Sequence, residues 1–253
     1  MAASLGMAVA CAELGTGVGE ISYIAFDGIP YPAVIAGDTL RDSLGVATPL
    51  RASAYDEHGA LIVDAPFRYI TLDTGVIVVD STGLLRVTTR RDGLVRVLAT
   101  VGGLQTDDRS IRVTRRPDSV YAATSDSMRL LYAIPDGATN ISPDMRIKLI
   151  SGDSVGFGPA VGGWLVRWRA VHGSDTLAVT DTAFVSLQTL TAARRAVDTT
   201  ATDGTSTRKL RVFAARIPTP TDSFVVLAEV RLHGAPVPGS PVRFVVHVAP
   251  PAP

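Results

Sequence analysis

The sequence predicts an all-β chain of two successive sandwiches. Three observations carry this. Between Val76 and Val113, short apolar runs follow one another through tight turns: V-I-V-V, D-S-T-G, L-L-R-V, then L-V-R-V-L-A-T-V and S-I-R-V. From Met145 to Val248, five more segments alternate apolar and polar residues with the period of two that buries one face of a strand. The chain has 253 residues, of which 46% are hydrophobic and 19% charged, enough for two ordinary globular domains.

The first sandwich is expected over residues 20–115. Ile21–Phe26 reads as its first strand, broken by the turn residues Asp27-Gly28-Ile29-Pro30-Tyr31-Pro32. Leu50–Tyr55 alternates and stops at Asp56-Glu57-His58-Gly59. Phe67–Ile70, Val76–Val79, Leu84–Thr88, Leu94–Val101 and Arg109–Val113 complete seven short strands. In the last three, Leu85, Val87, Val95, Val97, Ala99, Val101, Ile111 and Val113 share one face, and Arg86, Arg96 and Arg112 share the other. Gly83 is expected to supply a positive φ at its turn.

Arg115-Arg116-Pro117-Asp118 is a short break, so the two domains should sit end to end with limited freedom. The second sandwich is expected over 116–249, followed by a tail at 250–253. Val120–Tyr132 has no clear pattern. Beyond it Met145/Ile147/Leu149, Val166/Trp168/Ala170, Leu210/Val212/Ala214, Val226/Ala228/Val230/Leu232 and Val242/Phe244/Val246/Val248 each define a buried face. Residues 173–203 read as a long loop with a short helix at Thr189–Val197, and long loops are where scaffolds carry function.

P-L-R-A-S-A-Y-D-E-H-G, V-V-D-S-T-G-L-L-R-V and V-R-V-L-A-T-V-G-G, spread over Pro49–Val113, resemble the bacterial immunoglobulin-like repeats (group 2) of surface and periplasmic proteins. A-V-G-G-W-L-V-R-W, ending at Trp168, and T-T-A-T-D-G-T-S, starting at Thr199, resemble intimin-type repeats. The resemblance implies two tandem immunoglobulin-like β-sandwiches, with Trp168 as the core tryptophan of the third strand and Tyr69 as its counterpart in the first domain. The single cysteine excludes an internal disulfide and a Cys₂ or Cys₄ metal site.

That cysteine is Cys11. Residues 1–19 read as an export or anchor segment and tether, because Ala8-Val9-Ala10-Cys11 is similar to the end of a lipoprotein signal, where small residues precede the lipidated cysteine. The resemblance implies a lipid anchor at Cys11, attachment to the membrane through it, and an exported protein in the periplasm or on the outer cell surface.

The sequence carries no catalytic constellation. Gly152-Asp153-Ser154-Val155 resembles the nucleophile block of GDSL-type hydrolases, but no Asp stands three residues before any of the four histidines. His58, His172, His233 and His247 have no ligand spacing and read as solvated. Asp56-Glu57 and Asp107-Asp108 supply too few oxygens for Ca²⁺, so neither a metal nor a cofactor is expected. A formal net charge of zero gives no field to draw in nucleic acid. Arg167, Arg169, Arg231 and Arg243 should share the outward face of one sheet of the second domain, as a candidate face for sulfated or phosphorylated groups. Arg146, Lys148, Lys209 and Arg211 should share the other.

The expected function is therefore a non-enzymatic binding or spacer module of the bacterial envelope, with a protein or envelope glycan as partner. The alternatives are an accessory structural subunit of a larger membrane-bound complex, with Leu227, Val245 and Phe213 as outer contact residues, and, more remotely, a hydrolase.

Overall fold

The computed structural model describes residues 21–134, 140–152, 158–177, 185–217 and 221–251. Ten strands build the first sandwich: β1 (Tyr23–Gly28), β2 (Ala33–Ile35), β3 (Arg51–Tyr55), β4 (Leu61–Ile62), β5 (Arg68–Thr71), β6 (Ile77–Val79), β7 (Leu85–Val87), β8 (Gly93–Val101), β9 (Leu104–Gln105) and β10 (Arg109–Thr114). The second contains β11 (Ser119–Ala122), β12 (Ser127–Leu131), β13 (Met145–Ile150), β14 (Leu165–His172), β15 (Asp175–Leu177), β16 (Val185–Gln188), β17 (Val197–Thr199), β18 (Thr205–Val212), β19 (Asp222–Glu229), the short hairpin β20 (Arg231–Leu232) and β21 (Ala235–Pro236), and β22 (Val242–Ala249). The one helical turn among the described residues is a 3₁₀ turn at Ala214–Arg216.

Strand order identifies the fold. In the second sandwich one sheet runs β11-β13-β18-β16 and the other β12-β22-β19-β14-β15, with β12 parallel to β22. Taking β11, β13, β14, β16, β18, β19 and β22 as strands A to G, these are the A-B-E-D and C-F-G sheets of an immunoglobulin-like sandwich. The first sandwich repeats the second of these sheets as β2-β10-β8-β5, again with its edge strand β2 parallel to β10. Its other layer is β1-β3-β4, extended by the β6–β7 hairpin, which receives the Leu50 N–H at Gly83 and the Leu40 N–H at Leu85.

The alternation expected from sequence is the burial observed. Val95, Val97, Ala99 and Val101 point inward from β8 while Arg96 is exposed, and Met145, Ile147 and Leu149 are buried beside the half-exposed Arg146 and Lys148. Trp168 stacks on Phe244 inside the second core, with its indole N–H on Ser206 Oγ. Gly83 has φ +87 in a turn organised by Asp80, whose carboxylate accepts the N–H groups of Thr82 and Leu84.

Two expectations are corrected. Residues 173–203 are not one long loop: β15, β16 and β17 lie in their described part, and Thr189–Val197 is not helical. Thr189 and Ala193 instead close a turn that brings Arg194 opposite Gln188. The reason is burial on both sides: all four residues of β16, Val185-Ser186-Leu187-Gln188, are buried, so no alternation marks the strand. The unpatterned Val120–Tyr132 segment supplies β11 and β12, and β2 lies just beyond Pro32, in a stretch that carried only turn signals.

Candidate binding surfaces

At the domain junction, side chains and turns of the two sandwiches meet. Tyr31, at the end of the first sandwich, lies 5.1 Å from Trp164 of the second, ring centre to ring centre. Both rings are buried. The Tyr31 phenol is bonded to the Leu165 backbone, and burial pushes its pKa well up, against that bond and the nearby Arg167 charge. The Trp164 indole donates to the Arg231 carbonyl at 2.9 Å. Buried apolar residues therefore run without interruption from one sandwich into the other.

Beside the rings, two turns meet backbone to backbone. Asp42 builds the first, accepting the N–H groups of Leu44 and Val46. The second is the β20–β21 turn, with His233 at φ 49 and Gly234 at φ 82, the mirror-image turn of a two-residue hairpin. A Cβ on Gly45 would stand 2.6 Å from His233 Cα, so only glycine permits the approach. His233 Nε2 lies 3.4 Å from Asp38, which also receives Arg41 and the Thr39 N–H. Burial alone would raise the Asp38 carboxyl, but the Thr39 N–H, Arg41 and His233 outweigh it and hold the pKa below the ordinary value. Tyr31, Ser43 and Leu44 on one side, and Leu165, Arg167, Glu229 and Arg231 on the other, line an open cleft of about 210 Å³.

The four arginines proposed from sequence are all exposed, but they do not form one uniform face. Arg169, Leu227 and Arg243 form one row across β14, β19 and β22, and Arg167 stands opposite Glu229. Arg231 belongs to the β20–β21 hairpin, since the chain leaves the sheet after Glu229 and the Val230 N–H goes to Ser240 Oγ. Its guanidinium is held by Glu229 at 2.6 Å and the Gly234 carbonyl at 2.9 Å. Among the described residues Arg167, Arg169 and Arg243 make no ion pair. On the other sheet, Arg146 and Lys209 share Asp144.

Leu227, Val245 and Phe213, expected as exposed apolar contacts, are half-buried. Three histidines are not merely solvated: His172 pairs with Asp222 at 2.9 Å, His233 with Asp38, and His247 Nδ1 with Ser223 Oγ at 2.8 Å. His58 and His247 are exposed. Asp56 spends its carboxylate on the N–H groups of His58 and Ala60. Among the described residues no three His, Cys, Asp or Glu side chains converge to hold a metal. Cys11 and Ser154 lie outside the described residues.

Arg208 went unnoticed in the sequence. It faces inward from β18, fully buried, with its guanidinium on Asp198 at 2.6 Å, on the carbonyls of Arg195, Val197 and Thr207, and over the Trp168 ring. The signal was its register: Ser206, Arg208, Leu210 and Val212 share one side of the strand.

No family model matches the chain, and no curated protein does. Among solved structures, domains 4 and 5 of the S-layer protein SbsC are 12% identical, over 92% of this chain and 98% of that one, with a TM-score of 0.32. The D0-D1 domain of intimin is 13% identical, over 90% and 97%, with a TM-score of 0.27. The Yersinia pseudotuberculosis adhesin InvE is 11% identical, over 86% and 56%, with a TM-score of 0.32. At these values the fold rests on the strand order described above.

Proposed function

We propose that the chain is a non-enzymatic binding or spacer module of the bacterial cell envelope, in which two sandwiches keep one fixed relative orientation. The observation that carries this reading is the junction, where the His233–Gly234 turn presses on Leu44–Gly45 beside the Tyr31–Trp164 contact. A flexible linker needs no such packing; a spacer that must present one face in one direction does. The binding face in this reading is the outer side of β14, β19 and β22, where Arg167, Arg169 and Arg243 stay free for an acidic protein or envelope glycan. Cys11 supplies the lipid tether.

The test has two parts. Residual dipolar couplings of the intact chain should fit one alignment for both sandwiches; two independent alignments would refute the spacer. In a Cys11→Ser chain, which has no lipid to hold it, charge reversal at Arg167 and Arg169 should abolish retention on isolated envelopes, and unchanged retention would remove the binding face. Mass spectrometry of the native protein should show a lipidated Cys11 at its N-terminus.

A further inference from the structure

We propose that the second sandwich carries an oxyanion-binding site at its β16–β18 edge, formed by Ser186, Arg194 and Arg211 beside the ring of Phe213. It lies on the sheet opposite the face assigned above and stands independently of that assignment.

The first observation is a coincidence of unmet hydrogen bonds. Among the described residues, three buried side-chain polar atoms lack a partner, and two of them are Ser186 Oγ and Arg211 Nε. Ser186 and Arg211 are directly paired across β16 and β18. Residues so paired project to the same face with their Cβ atoms about 5 Å apart. Buried groups of this kind are nearly always bonded, so two orphans side by side point to a shared partner. The partner must accept from Arg211 Nε, since an arginine donates only.

The second observation is convergent charge. Phe213 follows Arg211 by two residues, and three guanidinium carbons surround its ring, at 5.6 Å for Arg211 and 5.8 Å for Arg194 and Arg216. Arg194 is brought there by its bridge to Gln188. The described residues place no carboxylate within ion-pair reach of Arg194 or Arg211, unlike Arg146 and Lys209 of the same sheet, which share Asp144. A phenyl ring attracts Arg194 and Arg211 through its quadrupole but does not cancel the repulsion between them. An anion cancels it and takes the Nε and Oγ donors at once.

Several forked donors and one hydroxyl suit an acceptor with three or four oxygens, namely a phosphate or sulfate monoester. The same chemistry is offered by a soluble ester and by a monoester lipid headgroup.

The intact chain should be titrated with inorganic phosphate at constant ionic strength, following the amide signals of Ser186, Arg194 and Arg211–Phe213 and the melting temperature. Saturable shifts confined to these residues are expected, with a rise in melting temperature. Arg194→Gln and Arg211→Gln should each weaken binding about tenfold, the loss of one charge-assisted hydrogen bond, while Arg109→Gln, on the first sandwich, leaves it unchanged. Arg194 is exposed, so its variant should melt like the wild type without phosphate and separates loss of the site from loss of the fold. An equal response to chloride, or an Arg194→Gln/Arg211→Gln double variant that binds like the wild type, would overturn the site. Vesicles of phosphatidylcholine with and without phosphatidic acid locate the source. Sedimentation that needs phosphatidic acid and is lost in Arg194→Gln supports a lipid headgroup; phosphate binding without sedimentation supports a soluble ester.

Discussion

Tyr69 and Trp168 occupy corresponding strands of the two sandwiches, β5 and β14, yet they do different work. Trp168 is fully buried, stacked on Phe244, bonded to Ser206 and covered by the Arg208 guanidinium. Tyr69 is half-buried, meets Phe26 edge-on at 6.2 Å, and lies over the Asp80–Gly83 turn. Its phenol is raised by burial first and by Asp27 second. The second sandwich is organised around a large ring in its core, whereas the first couples a smaller ring to the geometry of a turn.

The sharpest test of this contrast is to delete each ring. Trp168→Ala should cost about 3–5 kcal/mol, because it opens a cavity and leaves Arg208 and Ser206 with fewer partners. Tyr69→Ala should cost about 1–2 kcal/mol, in keeping with a ring that is only partly removed from water. Denaturant melts of both variants give the comparison, and equal losses would break it.

The turn under Tyr69 should then matter more than the ring. Gly83→Val meets two penalties. Its φ of +87 strains any β-branched residue, and the added Cβ would stand 2.8 Å from the Leu50 carbonyl and 2.9 Å from Tyr69 Cε2. The expected loss is about 2–4 kcal/mol, confined to the first sandwich. Amide exchange that accelerates in β3 and β7 while β14 and β19 keep their protection would confirm it. A uniform change would deny that the turn belongs to one domain.

These features were not equally legible in the sequence. Val95–Val101 and Met145–Leu149 announce themselves because a strand buried on one face must alternate. Gly83 was legible because Asp-x-x-Gly between apolar runs is local turn chemistry. Arg208 was not: it stands on the buried face of an alternating strand, where an apolar residue is expected, and its partner Asp198 lies ten residues away. The junction was least legible of all. Gly45 reads like Gly83, being the last residue of Asp42-Ser-Leu-Gly, and nothing local says that the backbone of His233 will rest on it. A close approach between distant turns leaves no period in the sequence, only a glycine that looks like its neighbours.

Gly45→Val therefore separates the two kinds of glycine. It carries a comparable left-handed φ of +88, but the clash it creates is with the other domain. Each sandwich should keep its own protection pattern, with a local cost of about 1–2 kcal/mol from the strained turn, while the common alignment is lost. Dipolar couplings before and after the substitution read this directly. A variant that unfolds the first sandwich as Gly83→Val does would mean that the Asp42 turn is scaffold and not junction.

The smallest expected effect concerns acid. The Asp38 carboxyl is held below its ordinary value, so its charged form is favoured in the folded junction. A group with a lowered folded pKa contributes stability above the unfolded value, and loses it as pH falls through the folded one. Docking should thus be unaffected from neutrality down to the ordinary carboxylate range, and weaken only below it. Asp38→Asn should remove this dependence and leave a weaker junction at every pH. The chain has two tryptophans, so Trp168→Phe leaves Trp164, at the junction, as the single reporter. Its emission should shift toward that of exposed tryptophan in acid with Asp38 present, and be flat over the same range with Asn in its place. Loss of docking at mildly acidic pH would instead assign the junction's sensitivity to another group and take Asp38 out of it.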